Sequence, residues 1–348
     1  MPYNGAVLIP SPDRPVAPAM TCALECAHAS REFLNLEIVD PQAPHRPENA
    51  RFWFIAAISF RQLSDMLKSV KHLIGPDAIV TGFVFDSYFS GRLEGLPDII
   101  KRKTRFVSNL RRFNRIYCPF QALIAQQAAS YGLNMAYLPI GVDAIRFGAC
   151  ANMAARYITI NGYGRQPSAL TAVLSDSLNR AGDSFFHYTG HVQIRQVSDP
   201  VRHRDHFWQM LRHTRVALAY SPESCDPDQR FPCSFVGQRW FESLAAGCIV
   251  AGRRPQAAET DELLNWPDAT IELPDDPTEA LAALRNLLGD VDRLDAISRR
   301  NYSECLRQHD WRWRAACIAR DFPESFADLA PRVDALDAAV QATIAGIA

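Results

Sequence analysis

The sequence predicts an α/β protein: two Rossmann-like, doubly wound domains in tandem, followed by a long helical tail. Three observations carry this. Short apolar segments of strand length alternate with helix-length amphipathic stretches from the N-terminus to about residue 143. Such alternation points to parallel sheets with helices on their faces. The pattern weakens around 143–156 and restarts at "RYITINGYGRQP". From 277 to 346 it is helical almost throughout. A chain of 348 residues is long for one domain, and two domains of half that length can each bury a core.

The elements follow in order. "AVLIP" at 6–10 is a buried strand entering the proline-rich loop "PSPDRPVAP". A helix at 19–33 leads to the strand "NLEIVD" at 35–40, and a long helical pattern spans about 53–74. "DAIVTGFVFD" at 77–86 is a strand opened by Gly-Pro and closed by Asp86. "RIYCPF" at 115–120 and "MAYLPIGVD" at 135–143 are two more, with a helix at about 119–131. In the second half the strands are 156–167, 185–190, 215–220, 248–252 and 269–273, with helices at 168–180 and 235–246. The expected boundaries are 1–145 for the first domain and 146–325 for the second, with 326–348 a helix returning to the first domain. Two such domains are expected to face a cleft, because ligands of these sheets bind beyond the carboxyl ends of the strands.

Composition narrows the function classes. With 37 basic and 38 acidic residues the net charge is −1, so no global field attracts nucleic acid. The nine cysteines form no C-x-x-C pair and lack metal-site spacing, as expected of reduced thiols in a cytoplasmic protein. "MPYNGAVLIPSPDRP" has no basic n-region and an apolar run of only four residues, unlike a signal peptide. No run approaches the length of a transmembrane helix.

The stretch with most chemical content is "SFVGQRWFESLAAGCIVAG", 234–252. With Val236 at zero on a helical wheel, Trp240, Leu244, Phe241 and Ala245 cover the arc to about 180°, while Gln238, Arg239 and Glu242 cover about 200° to 300°. The helix is amphipathic, with Arg239 and Glu242 neighbours at i, i+3 on its polar arc. Ser234 is a candidate N-cap. Gly237 leaves room for a phosphate at the helix start, and Gly247 ends the helix before the strand.

This stretch resembles the donor-site helix of GT-B glycosyltransferases of the group 1 type, including their spore-coat-associated relatives: a Glu on a helix, small residues, a Gly, then a buried strand, as in "FESLAAGCIVA". "HDWRWRA" at 309–315 is similar to the segment that closes the C-terminal domain of these enzymes. The resemblance spans about 156–320; the first 145 residues share architecture only. It implies that Glu242 accepts hydrogen bonds from the ribose hydroxyls of a nucleotide-sugar, a charge-assisted contact. It also implies that the helix start, Ser234, Phe235, Val236 and Gly237, faces the diphosphate, with no metal or cofactor required. Many retaining members carry a second Glu eight residues before the first. Ser234 stands at that position here, which leaves retention or inversion open.

Other candidates complete the site. Gly164 in "NGYGRQ" permits close backbone approach, and Arg165 and Arg239 are candidate cations for the diphosphate. Asp13 and Asp86, at the ends of strands in the first domain, are candidate general bases. The segment 99–115 has seven basic residues and no acidic one; it is either a solvated helix face or a dock for an anionic acceptor. The expected function is metal-independent transfer of a sugar from a nucleoside diphosphate to an acceptor hydroxyl or similar nucleophile. A sugar-nucleotide epimerase or hydrolase of the same fold, and an inactive nucleotide-binding module, are the alternatives.

Overall fold

The structure, a computed structural model, describes residues 2–10, 20–86, 96–150, 152–178, 184–189, 199–225 and 233–347. The chain forms two units. Residues up to Gly141 join Trp311–Leu336 in the first, and Val142–Asp310 join residues from Asp337 onward in the second.

The first unit holds a six-stranded parallel sheet in the order β2-β1-β3-β4-β5-β6. Its strands are β1 (Gly5–Leu8), β2 (Leu36–Val39), β3 (Phe52–Ser59), β4 (Ile79–Asp86), β5 (Arg115–Cys118) and β6 (Met135–Tyr137). Its helices are α1 (Met20–Leu34), α2 (Phe60–Val70), α3 (Asp98–Lys103), α4 (Arg105–Leu110) and α5 (Gln121–Tyr131). On one face, Leu8, Trp53, Ile55, Val84 and Ile116 pack with Leu63 and Leu67 of α2 and with Val107 and Leu110 of α4.

One expected element is corrected. Residues 53–74 are not one helix: the first part is the central strand β3, and α2 begins at Phe60. The apolar run "FWFIAAIS" is buried along most of its length, and an unbroken apolar run has no period that separates a two-sided buried strand from a buried helix. Ser59 marks the change, its Oγ accepting from the Gln62 amide at 3.3 Å to cap α2.

The return to the first unit also differs from expectation. It begins at Trp311, not at 326. The helix there, α14, spans Trp311–Asp321, and α6, the first helix of the second unit, spans Ala144–Phe147. Trp311 is fully buried, with its ring edge-on to Phe83 (5.3 Å) and near Phe85 (5.6 Å). Arg115 pairs with Asp321 at 2.7 Å, and Phe326 packs on Phe52 at 4.8 Å. The last helix, α15, spans Leu329–Ala345.

The second unit holds a five-stranded parallel sheet in the order β11-β10-β9-β7-β8. These are β7 (Ile158–Tyr163), β8 (Phe186–Thr189), β9 (Thr214–Ala219), β10 (Ile249–Gly252) and β11 (Ile271–Glu272). Its helices are α6, α7 (Ser168–Leu178), α8 (Pro200–Arg212), α9 (Pro222–Cys225), α10 (Gln238–Ala245), α11 (Thr260–Leu263), α12 (Pro277–Leu288) and α13 (Val291–Gln308). Leu170 and Leu174 of α7 and Leu281 and Leu284 of α12 pack with Ile160, Val216, Leu218 and Ile249. The strand order runs one way from β7 to β8 and the other way from β9 to β10. Right-handed crossovers therefore put α10 on the sheet face opposite α7.

Candidate functional site

The reversal of strand order falls between β7 and β9, and the crevice beyond the carboxyl ends of two such strands is where open α/β sheets bind ligands. The β7–β9 register ends at Asn161 opposite Ala217, while β7 continues beside β8 to Tyr163. The two strands part there. Two side chains span the gap. Gln166 Nε2 donates to Tyr163 O and to Leu218 O, both at 3.1 Å. Arg239 Nη1 donates to Arg165 O at 2.9 Å and to Tyr220 O at 3.1 Å.

Gly164 is required at this point. Its φ is +72°, and a Cβ there would lie 2.6 Å from Arg239 Nη2. The half-buried Arg239 guanidinium also lies over the Tyr163 ring, 5.6 Å from its centre. Burial pulls its pKa below the ordinary arginine value, yet a guanidinium stays a cation at neutral pH. Expected as a phosphate ligand, Arg239 thus spends Nη1 on two backbone carbonyls and fixes the loop that presents Arg165. The Arg165 residue itself is half-buried.

The start of α10 departs from expectation. The helix begins at Gln238, with Gly237 as an extended N-cap (φ −80°, ψ 168°) and no side chain capping it. Ser234 is not the cap; its Oγ accepts from the Gln256 amide at 3.1 Å. Ser234, half-buried Phe235 and buried Val236 form a non-helical lead-in. A β-branched Val beside Phe favours such extended backbone, and Gly is accepted at an N-cap. The helix ends as expected at Gly247, with φ +63°. Gly247 N donates to Leu244 O and Cys248 N to Ser243 O, the paired bonds of a Schellman motif. Arg156 is fully buried behind this turn, donating to Ala246 O at 2.9 Å and Thr214 O at 2.6 Å. From α13, Ser298 Oγ donates to Gly247 O at 2.6 Å and Asn301 Nδ2 to Cys248 O at 2.9 Å.

Glu242 is corrected as well. It does not share a solvent face with Arg239. It is buried, and its Oε1 pairs with Arg204 Nη1 of α8 at 2.6 Å, the two side chains 5% and 11% exposed. The guanidinium of Arg204 lies over Phe207 (4.7 Å) and Trp208 (5.0 Å). Six consecutive residues of α10, Trp240–Ala245, are buried, so the helix has no open polar arc. Tyr163 Oη donates to Arg239 O at 2.9 Å and lies 3.0 Å from Ser243 Oγ. Burial, aided by the Glu242 carboxylate, raises its pKa well above 10, so it remains a neutral phenol. Arg204, Gln166 and Tyr163 escaped the sequence reading. Nothing local marks Arg204 as the partner of a Glu 38 positions on.

The remaining candidates are in the first unit. Asp86 is the exposed last residue of β4, opposite Ser59 in register. Asp13 lies outside the described residues. Among the described residues no group of three His, Cys, Asp or Glu side chains is arranged to hold a metal ion. Among them, too, no helix is long and apolar enough to cross a membrane.

Two parallel sheets in tandem, with a helical C-terminal region, define a GT-B glycosyltransferase architecture. Residues 169–320, most of them in the second unit, match the family model described as glycosyl transferase-like. The chain is similar in fold to AviGT4, a glycosyltransferase of avilamycin A biosynthesis, at 12% identity over 94% of this chain and 99% of that one (TM-score 0.50). It is similar also to WaaG, a glycosyltransferase of lipopolysaccharide biosynthesis, at 10% identity over 90% and 98% of the two chains (TM-score 0.48). With the pneumococcal O-GlcNAc transferase GtfA, solved with UDP and GlcNAc, identity is 9% over 79% of this chain (TM-score 0.44), and the match spans 57% of that protein's length. No curated protein matches the chain in sequence.

Proposed function

We propose that the protein transfers a sugar from a nucleoside diphosphate sugar, bound at the β7/β9 crevice, to an acceptor hydroxyl or similar nucleophile. The observation that carries this reading is the tie made by Arg239. It holds the Gly164–Arg165 loop and the Tyr220 loop together beside the uncapped start of α10, inside a glycosyl transferase-like domain. Backbone amides at a helix start and a loop cation suit a departing diphosphate. Preorganised charge of this kind stabilises the leaving group without a metal. Arg165 and Arg239 contribute the charge, and Phe235, Val236 and Gly237 the backbone around the phosphates. Glu242, oriented by Arg204, is assigned to the ribose hydroxyls. Asp13 and Asp86 stand as the candidate bases for an acceptor proton, and a cytoplasmic setting is part of the same proposal.

A thermal-shift screen with UDP, GDP, dTDP and CDP tests the binding step. At a hundredfold excess over Kd the right nucleotide stabilises by about 2.7 kcal/mol. Arg165→Ala should then weaken its binding by about tenfold or more, as a charged hydrogen bond is worth roughly 1.5–3 kcal/mol. No shift with any of the four would remove the donor reading. Transfer or hydrolysis of the matching sugar nucleotide, assayed with and without a chelator, separates an enzyme from a binding module. The module is favoured by Ser234 standing where many relatives carry a carboxylate.

A further inference from the structure

Helix α3 is mounted inside out. At 100° per residue, Ile99, Lys103 and Ile100 share an arc of about 100°, and Lys101 and Arg102 lie across the helix from it. It is the basic side that is docked. Lys101 has a side chain only 13% exposed, pairs with Asp98 at 3.2 Å and lies 5.5 Å from the centre of the Tyr131 ring. Arg102 donates to Ser130 O at 3.1 Å and to Ala129 O. Arg111 adds two bonds to Tyr131 O, at 3.3 and 3.2 Å. These cations satisfy the last carbonyls of α5 and complement its dipole. The isoleucines are left outside: Ile99 is 66% and Ile100 47% exposed, Leu96 just before them is exposed, and α3 buries none of its residues.

A single exposed apolar side chain is ordinary. A helix held by its cations with its isoleucines in water is not, since docking the other face would bury them at no loss of solvation for the charges. Lys103 on this ridge, with Arg105 at the start and Arg112 just past the end of the α4 that follows it, are exposed and form no ion pair among the described residues. Of the seven basic residues in 99–115, internal contacts thus take Lys101, Arg102, Arg111 and Arg115, and three remain for an external anion.

We propose that this surface docks on an anionic phospholipid bilayer. Lys103, Arg105 and Arg112 meet headgroup phosphates, while Ile99, Ile100 and Leu96 enter the boundary between headgroups and acyl chains. Both halves are needed to choose this occupant. A soluble anionic sugar has no use for three aliphatic side chains, and an apolar partner has none for three cations. A bilayer surface offers phosphate and hydrocarbon within a few ångströms of each other. The contact uses no residue of the crevice in the second unit, so it stands or falls apart from the donor reading.

The test is flotation of the full chain with vesicles of phosphatidylcholine alone and with added phosphatidylglycerol. The chain should float with the anionic vesicles, and less as salt is raised. Each basic residue near such a surface contributes about fivefold to partitioning. Lys103→Ala/Arg105→Ala/Arg112→Ala should therefore lower it by about two orders of magnitude, and Ile99→Ser/Ile100→Ser should lower it about tenfold or more. Both variants should keep the wild-type unfolding temperature, because all five substituted residues are exposed. Failure of the wild type to float, or equal flotation of the variants, would overturn the proposal. Loss of a wild-type dimer in Ile99→Ser/Ile100→Ser, with flotation unchanged, would assign the ridge to a protein contact instead.

Discussion

A carboxylate on an amphipathic helix reads as a surface group until its partner is known. Glu242 sits in a buried pair with Arg204 whose side chains are 5% and 11% exposed, and that changes what its removal should do. An exposed pair is worth about 0–1 kcal/mol, whereas deleting one member of a buried pair strands the other charge at a cost of about 3–5 kcal/mol. Glu242→Ala and Arg204→Ala should each destabilise the chain on that scale in urea unfolding. The double variant Arg204→Met/Glu242→Leu should be more stable than either. A Glu242→Ala loss under 1 kcal/mol would show the pair to be solvated. Glu242→Gln separates the two roles: a folded variant with wild-type nucleotide affinity takes Glu242 out of the donor site, whereas a tenfold or greater loss keeps it there.

Among the elements, α10 is bounded by one glycine and faced by another whose backbone no other residue accepts cheaply: Gly247 at its end and Gly164 at the exit of β7. At its end, Gly247 combines φ +63° with a space where a Cβ would meet Ala149 O and Ser298 Oγ at 3.0 Å and Arg156 Nη2 at 3.1 Å. Gly247→Ala should cost about 1–3 kcal/mol in stability without acting on nucleotide contacts directly. Near its start, Gly164→Ala carries a similar backbone penalty and also displaces Arg239, the tie across the β7/β9 gap. It should lower nucleotide affinity more than Gly247→Ala does at matched stability loss. Calorimetric titration of both folded variants compares them, and equal affinities would mean that the Arg239 tie does not shape the crevice.

Over the whole molecule, burial of thiols and phenols sets an alkaline limit to stability. Desolvation pushes Cys248 from 9.0 up to about 11, and Tyr302 from 10.0 up to about 12. It raises Cys26, Tyr117, Tyr163 and Tyr220 further. In each case the native chain keeps a proton that the unfolded chain has released. With fewer protons bound to the unfolded state, stability falls as pH rises, starting near pH 9 for the thiols and near pH 10 for the phenols. The slope is up to about 1.4 kcal/mol per pH unit for each group. Urea midpoints should be level from about pH 7 to 8.5 with respect to these groups and drop by about pH 10. Cys248→Ala should soften the drop. A midpoint unchanged at about pH 10 would mean that the thiols ionise in the native fold.

What the sequence alone determined is whatever is written in neighbouring residues. Alternating strand-length and helix-length segments set two parallel α/β sheets, and ten of the eleven strands among the described residues overlap apolar runs legible without a structure. Gly164 and Gly247 were legible because a left-handed turn at a strand exit or a helix end demands glycine wherever it occurs. What only the tertiary structure decided is whatever needs a partner distant in sequence. The strand β3 hid inside a helical pattern because full burial on both faces erases the period. The chain returns to the first unit at Trp311 because that indole fills a space beside Phe83 and Phe85 of β4, which no local pattern announces. Arg204 became the partner of Glu242, and Arg239 a tie between carbonyls, because a charge leaving water takes the nearest group that can satisfy it. In α3 the carbonyls of α5 claimed Lys101 and Arg102 and turned the isoleucines outward, a choice made by the helix it packs against and not by its own six residues.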